Sequence, residues 1–346
     1  MQALYGHPVF EVDGETFFWE DVVLDALRRG KWTRLVAEVS DSLAALEAAD
    51  EGPEDPDFEE AADDAAQEFR YERDLVTAQE MEDWLKLHGI GVREWMEFIR
   101  RNTLSTRIGT RRTSGARSER GDAAIGDELR VELICSGLGE QWAGELAERA
   151  AGAAAAAGST LPESGTDVLG RTPPSPLPEG LSPERAGERL AVLDRVERGL
   201  QEFARSVLTT EAIRREISHR HTEWIRVDCR AIAFTDEAEA REAAFCLRED
   251  GLELDEVAAT ARAPVAESRF YLDDLEPDFR PVFLASRPVD LLGPMLFEGA
   301  HTLIRVVDKV MPSEQDPEIR RRAEAAVLAR VLAEQARSRV RWRLGW

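Results

Sequence analysis

The chain has few cysteines and a shortage of basic residues. Its 346 residues include only Cys135, Cys229 and Cys246, whose odd number and lack of metal-like spacing predict three reduced thiols, as in a cytoplasmic protein. Lysine and arginine together number 44 against 68 acidic residues, so the formal net charge is −24. This balance argues against nonspecific binding to nucleic acid or to an anionic membrane.

Long apolar runs and several common catalytic motifs are also missing. No apolar segment approaches the roughly 20 residues that a membrane-spanning helix needs, and residues 1–10 lack the basic and apolar regions of a signal peptide. The motifs G-x-x-x-x-G-K-[ST], H-E-x-x-H and G-x-S-x-G do not occur. We therefore expect a cytoplasmic protein with no cofactor, no metal, and no nucleic-acid or membrane partner.

The most informative stretch of the sequence is 223–312. It opens with a run rich in β-formers at 224–234, followed by a helical pattern at 236–249 with apolar residues at i, i+4 and i+7. A second helical turn is predicted at about 254–261, and an irregular segment then continues to Phe279. The stretch closes on 292–309, which is again rich in apolar and β-branched residues.

The order of these pieces resembles the parvulin (PpiC-type) peptidyl-prolyl isomerase domain. The sequence Leu-Glu-Pro-Asp-Phe at 275–279 is similar to the M-V-P-E-F segment that lines the family's proline pocket, and Gly293-Pro294 with 299–306 resembles its GP…GYHIIKV ending. The resemblance implies a small antiparallel sheet in which 229–234 and 301–307 are neighbouring strands. It also implies a site for an apolar peptide side chain, with contacts from Phe270, Leu275, Phe279, Met295, His301 and Thr302.

The main departure from the family is the loss of its histidine pair. Parvulins carry one histidine in each of two adjacent central strands, and here the first position falls at Arg230 or Ala231. The second falls at Thr302 in the ungapped alignment, which we prefer, or at His301 if one residue is inserted. The family's glycine-rich turn is replaced by 266–270. Because rotation about the amide bond is itself the barrier, roughly 18–20 kcal/mol, an apolar clamp alone is compatible with weak isomerase activity, but we expect no catalytic residue.

The N-terminal region predicts a hairpin followed by helices. Asp13-Gly14 lies between two β-prone runs, which is a strong hairpin signal, and an amphipathic helix opens at Glu20-Asp21. Two helices around a turn are predicted within 78–104, and one helix is predicted over 127–157. This layout resembles the helical body of SurA-type chaperones.

The C-terminal residues predict a strand. Val340, Trp342, Leu344 and Trp346 alternate with arginines, a period of two. The SurA resemblance implies that this strand returns to pair with 9–12 or 16–19. We expect the tryptophans on its buried face.

Two charged segments stand out in the N-terminal half. Residues 50–64 are strongly acidic and contain two prolines, so we predict a solvated loop or tether that could dock a basic partner. An arginine-rich loop is predicted at 105–121. It belongs to a longer basic stretch that is interpreted either as contacting the acidic tract or as an anchor for an acidic peptide. The arginines of this stretch are Arg100, Arg101, Arg107, Arg111, Arg112, Arg117 and Arg120.

A pair of histidines is considered as a metal-binding site. His219 and His221 would share a face of a strand, but no third ligand is nearby in sequence, so surface histidines are the favoured interpretation.

These patterns predict an α+β protein in five segments. They are a helical chaperone-like domain at 1–157, a Gly/Pro/Ser-rich linker at 158–182, connecting helices at 183–221, the parvulin-like α/β domain at 222–312, and a C-terminal helix and strand at 313–346.

Three functions are compatible with the sequence. The first is a peptide-binding chaperone or maturation factor, similar to PpiC-related proteins of bacterial peptide maturation systems, whose partners would be a ribosomally made precursor peptide, or an unfolded polypeptide, and its modifying enzymes. The second is an active cytoplasmic prolyl isomerase. The third is a structural or assembly subunit, which predicts that Phe270, Leu275 and Phe279 are buried against the chain itself.

Overall fold

The computed structural model describes residues 2–51, 55–108, 125–158, 177–178, 180–297 and 299–343. The fold is mixed α+β and mostly helical, with two small antiparallel sheets among the described residues. The chain divides into two compact units, the first comprising Met1–Ser206 with Val331–Trp346 and the second Val207–Arg330. None of the described helices is both long and apolar enough to cross a membrane.

The first unit consists of helices around a three-stranded sheet of order β2-β1-β7. Its strands are β1 (Pro8–Val12), β2 (Glu15–Phe18) and β7 (Val340–Trp342). Its helices are α1 (Gln2–Tyr5), α2 (Trp19–Arg28), α3 (Lys31–Asp50), α4 (Pro56–Glu72), α5 (Ala78–His88), α6 (Val92–Ile108), α7 (Gly126–Cys135), α8 (Leu138–Ala156) and α9 (Pro183–Val207), and the division between the units falls within α14 (Pro317–Arg339).

The predicted hairpin and the predicted C-terminal strand are both present. Strands β1 and β2 pair across Asp13-Gly14, where both residues have positive φ, and β7 pairs antiparallel with β1. The expected burial of the tryptophans is wrong for Trp342, which is 49% exposed even though its ring meets Phe10 edge-on at 5.6 Å. The strand is only three residues long, so its outer end lies at the margin of the sheet; Leu344 and Trp346 lie outside the described residues.

The prediction of a loop over 50–64 is wrong for most of that tract. Helix α4 begins at Pro56, because the Asp55 carboxylate accepts the backbone N–H groups of Asp57 and Phe58 and proline is well suited to the first turn. Phe58 and Ala62 lie on its buried face. Residues 52–54 lie outside the described part of the chain.

The single helix predicted over 127–157 is interrupted. Helix α7 ends at Cys135 and α8 begins at Leu138, with Gly137 between them in the left-handed region at φ 77°. Glycine adopts this conformation without the strain that a Cβ would cause, so the chain turns here and both helices bury their apolar faces. Most of the predicted linker, 159–176, lies outside the described residues.

The second unit contains a four-stranded antiparallel sheet of order β4-β3-β6-β5. Its strands are β3 (Arg226–Phe234), β4 (Val265–Tyr271), β5 (Leu291–Phe297) and β6 (Ala300–Val310), and its helices are α10 (Thr210–His219), α11 (Glu237–Arg248), α12 (Leu254–Ala261), α13 (Arg280–Ala285) and the first part of α14. Residues 229–234 pair with 301–306, as the sequence predicted for the two central strands.

Strand β4 corrects the expectation of an irregular segment before Phe279. It pairs with β3 along its whole length, from Arg226 opposite Tyr271 to Ile232 opposite Val265. Four consecutive β4 residues, 266–269, are exposed, since this strand lies at an edge of the sheet. Its backbone hydrogen bonds to β3, more than its side chains, therefore define the strand.

Candidate functional site

One face of the four-stranded sheet carries an apolar cluster together with helix α13. We call it the α13 cluster. Its buried members are Ile225, Val227, Cys229, Leu272, Leu275, Phe283, Ile304 and Val306, and its partly buried members are Ala231, Phe270, Phe279, Leu292, Met295 and Phe297. Aromatic side chains that remain partly exposed beside a buried apolar floor are typical of surfaces that bind other molecules.

Helix α13 is fixed at both ends by cationic side chains that bind backbone carbonyl oxygens. Arg280 donates to the carbonyl oxygens of Leu275, at 2.8 Å, and Asp273, at 3.0 Å. Lys309 Nζ donates to those of Leu284, at 2.8 Å, and Ser286, at 2.7 Å. Lys309 satisfies carbonyls at the C-terminal end of this short helix, which stabilises it, and Arg280 ties its first residue to the preceding segment. These contacts hold α13 and its aromatic residues in place.

Two aromatic pairs shape the cluster. Phe283 is wholly buried and meets the ring of Phe270 edge-on at 5.1 Å, while Phe279 meets Phe297 at 5.3 Å in a similar arrangement. Such edge-to-face pairs add about 0.5–1.5 kcal/mol beyond area burial. Phe270, Phe279 and Phe297 remain partly exposed.

Five of the six predicted site residues lie on this face. Phe270, Phe279 and Met295 are half-buried, Leu275 is 7% exposed, and Thr302 is 5% exposed and lies opposite Met295 in the sheet. The hydroxyl of Thr302 donates to the carbonyl oxygen of Ala300 at 3.1 Å. The part of the site open to a ligand is therefore formed by the three half-buried residues and not by the two buried ones.

His301 lies on the opposite face. Successive residues of a strand point to opposite sides, and His301 is paired with Phe234 and Leu296, whereas Thr302 is paired with Ala233 and Met295. Phe234 belongs to the cluster that packs against α11 and α12. The sheet therefore separates His301 from the other predicted site residues.

The register also separates the two candidate positions for the first missing histidine. Ala231 is opposite Ile304 and belongs to the α13 cluster, whereas Arg230 is opposite Arg305 on the other face and forms an ion pair with Asp255 at 2.6 Å. The alternation of faces places Ala231 and Thr302 together. No histidine is a member of the α13 cluster as the described residues define it.

Gly293 is required by a close approach between β5 and β6. Its φ is 96°, and a Cβ atom at this position would collide with the carbonyl oxygen of Thr302. A glycine here lets the two strands approach beside Met295, which explains the glycine of the Gly-Pro pair noted in the sequence.

Cys229 is the one cluster residue with a nucleophilic atom, and its surroundings make it inert. Burial raises the pKa of its thiol to about 11, and the nearby Asp228 carboxylate acts in the same direction. The Sγ atom lies 3.6 Å from the carbonyl oxygen of Ser268. The thiol is therefore protonated at neutral pH and is not a thiolate nucleophile.

Sequence reasoning missed three contributors to the site. Phe283 lies four residues after Phe279 on a helix of only six residues, too short to show a period, although Pro281 near the start of α13 was an available signal. Phe297 ends strand β5. Lys309 acts on backbone carbonyls, which no sequence pattern reveals.

Two of the three described arginines in the arginine-rich stretch contact the chain's own acidic tract, whereas the third, Arg101, is buried and pairs with Glu132 at 3.2 Å. Arg100 binds the carboxylates of Asp50, at 2.8 Å, and Glu59, at 3.0 Å, and Arg107 lies 3.6 Å from that of Asp55. This confirms the intrachain interpretation for both arginines. Arg111, Arg112, Arg117 and Arg120 lie outside the described residues.

The two histidines considered as metal ligands are not part of a larger cluster of ligands within the described residues. No group of three or more His, Cys, Asp or Glu side chains suited to a metal ion occurs among the residues that the structure describes. His219 and His221 are both exposed, at the end of α10 and in the turn after it.

Comparison with known proteins gives no family assignment. No family model matches the chain, and no curated protein matches it significantly.

Proposed function

We propose that this protein binds an extended peptide or unfolded polypeptide on the α13 cluster and acts, without efficient catalysis, as a cytoplasmic chaperone or maturation factor for a precursor peptide. The observation that carries this proposal is the row of partly exposed apolar side chains beside α13. Phe270, Phe279, Met295 and Phe297 are half-buried over a floor that includes the fully buried Phe283.

The chemistry of the cluster supports binding without catalysis. Its members are apolar apart from the thiol of Cys229, whose raised pKa keeps it protonated. A surface of this kind gains free energy by removing apolar area from water, about 25 cal/mol per Å², and no described member of the cluster carries a charge. The resemblance to parvulins adds that a proline side chain would fit such a surface.

Exposure distinguishes this function from that of a purely structural subunit. The structural alternative predicts that Phe270, Leu275 and Phe279 are all buried against the chain, and only Leu275 is. The burial of Leu275 is the observation that favours the structural alternative. A direct assay of prolyl isomerisation separates the proposed function from that of an active isomerase.

The test combines binding and turnover in the full chain. We expect a short fluorescein-labelled peptide containing leucine, proline and phenylalanine to bind, measured by fluorescence anisotropy, while prolyl isomerisation of the same peptide is not accelerated. Phe279→Ala should weaken binding about tenfold, because the side chain loses its contact with the ligand. Phe245→Ala is the matched control, since Phe245 is 60% exposed on α11 and is not a member of the cluster.

Two outcomes contradict the proposal. Acceleration of isomerisation that Phe279→Ala abolishes would establish the enzyme alternative. Unchanged binding in Phe279→Ala, or no binding in the parent chain, would favour the structural alternative.

A further inference from the structure

The cations beside the α13 cluster differ in their partners from those in the rest of the second unit. Elsewhere in this unit most described arginines form ion pairs with carboxylates. These are Arg214, Arg215, Arg220, Arg226, Arg230, Arg241, Arg269, Arg305, Arg320, Arg321, Arg322 and Arg330. In a chain with 24 more acidic than basic residues, such pairing is the expected condition of an arginine.

Three cations around α13 and β6, which are Arg280, Arg287 and Lys309, lack such pairs with any described residue. Within the described part of the chain, the side chains of Arg280 and Lys309 bind backbone carbonyl oxygens, as noted above. The side chain of Arg287 is exposed and makes no hydrogen bond or ion pair with any described residue. Three cations without a carboxylate partner among the described residues thus lie beside this apolar surface.

The charges are arranged unevenly along α13. Arg287 and Lys309 lie at its C-terminal end, where Lys309 binds the carbonyl of Ser286. Glu276 and Asp278, both exposed, precede its N-terminal end beside Phe279. The carboxylate of Asp290 also lies near the C-terminal end, where it accepts the backbone N–H of Arg287 at 2.7 Å.

Lys309 is suited to receive a further carboxylate. Two of the three protons on its ammonium group point to carbonyl oxygens. Partial burial lowers the pKa of Lys309, and Asp290 opposes that shift only in part. A carboxylate arriving at this end of α13 would therefore meet an ammonium group that has lost part of its hydration and retains a free donor.

We propose that the α13 cluster binds peptides in which an apolar side chain lies about three residues from a carboxylate, with the carboxylate held by Arg287 and Lys309. The spacing follows from α13 itself, because six residues of helix span about 9 Å and an extended peptide advances about 3.3 Å per residue. The exposed acids before Phe279 disfavour the opposite orientation, in which the peptide carboxylate would lie beside Glu276. This inference rests on the proposed function and specifies its substrate class.

The experiment compares two labelled peptides that differ in one atom group. One has phenylalanine with glutamate three residues away, and the other has glutamine in place of that glutamate. We expect the glutamate peptide to bind the full chain about fivefold more tightly at low salt, near the upper end for one exposed ion pair. The preference should shrink as salt rises, because salt screens exposed charges.

Variants of Arg287 test the residue assignment. Arg287→Gln should reduce the preference at least twofold, and Arg287→Glu should reverse it in favour of a peptide with lysine at the same position. Arg262→Gln is the matched control, since Arg262 is an exposed cation at the end of α12, also without an ion pair among the described residues. Thermal melting of each variant checks that the fold is intact. We expect no change in melting temperature for the Arg287 variants, because this side chain makes no hydrogen bond or ion pair with a described residue.

The failure of this inference and that of the proposed function give different results. Equal binding of the glutamate and glutamine peptides would overturn the charge preference while leaving peptide binding in place. A preference unchanged in Arg287→Glu would overturn the assignment to this end of α13. Absence of binding for both peptides would overturn the proposed function together with the inference.

Discussion

The aromatic residues around the first hairpin and those around α13 are buried to very different extents. In the first unit Phe10, Phe17 and Trp19 are at most 1% exposed, and Phe10 stacks on Phe17 with ring centroids 4.7 Å apart. In the second unit the aromatic residues around α13 are only half-buried, apart from Phe283. The first arrangement maximises burial, whereas the second leaves apolar area open to a ligand.

The charged side chains near the first hairpin and those beside α13 also have different partners. In the first unit Glu20 and Asp21 are wholly buried, and Asp21 is bound by Arg189 at 2.6 Å and by the backbone N–H of Phe18 at 2.7 Å. Beside α13 the cations instead bind backbone carbonyls and retain free donors. The charged side chains of α2 and α9 thus pair with one another, whereas those beside α13 satisfy backbone carbonyls.

The largest effect is expected from truncating the aromatic core of the first unit. Trp19→Ala removes a side chain that is 1% exposed and should lower the free energy of unfolding by about 3–5 kcal/mol, since it leaves a cavity. Urea titration followed by tryptophan fluorescence reports mainly on this unit, because Trp224 is the one tryptophan of the second. A loss below about 1 kcal/mol would contradict the described packing.

Removing the cation from the buried carboxylates should have the next largest effect. Arg189→Met leaves Asp21 buried without its main counter-charge and should cost about 3 kcal/mol of unfolding free energy. Arg195→Met is the control on the same helix, because Arg195 pairs at 3.3 Å with Glu15, which is 31% exposed, and should cost less than about 1 kcal/mol. Equal losses in the two variants would argue against the burial of Asp21.

The same carboxylate predicts a pH dependence of moderate size. Burial raises the pKa of Asp21 from 3.8 to about 6, although Arg189 and the N–H of Phe18 act to lower it. Because the folded-state pKa lies above the unfolded value, the folded state binds the proton more tightly, and this group adds stability as pH falls from 7 toward 4. As pH falls from 7 to 5, the contribution of Asp21 to the free energy of unfolding should rise by about 1.3 kcal/mol.

Substitution of Asp21 isolates that contribution. Between pH 7 and pH 5 the free energy of unfolding should rise by about 1.3 kcal/mol less in Asp21→Asn than in the parent chain. Urea unfolding at both pH values measures this difference. An identical pH dependence in the two proteins would show that Asp21 does not titrate in this range.

The smallest effect on stability is expected in the second unit. Phe279→Ala should lower the free energy of unfolding by about 1 kcal/mol, less than the 3–5 kcal/mol of a buried aromatic residue, since the ring is already half exposed. Thermal melting followed by circular dichroism measures this difference. A loss as large as that in Trp19→Ala would identify Phe279 as a core residue and remove the basis for a binding surface.

The elements that the sequence predicted well are those with local signals. Asp13-Gly14 between β-prone runs predicted the first hairpin, and the alternation at 340–343 predicted β7. Helix α4 was missed because its acidic composition dominated the interpretation, although Phe58, Ala62, Ala66 and Phe69 mark a helical stripe.

The site was only partly predictable for a similar reason. Apolar residues such as Phe279 and Met295 could be assigned through the resemblance to parvulins, but the face on which His301 lies depends on strand register. The partners of Lys309 are backbone carbonyls more than 20 residues earlier in the chain, which become its neighbours only when α13 packs on the sheet. Contacts of that kind have no counterpart in a linear pattern.

Hydrogen exchange measured by mass spectrometry, with and without the glutamate-containing peptide, tests the binding surface most directly. If the peptide binds the α13 cluster, it should slow exchange in segments covering 279–297 and leave exchange at 8–18 unchanged. Slower exchange at 8–18 with none at 279–297 would contradict binding at the α13 cluster.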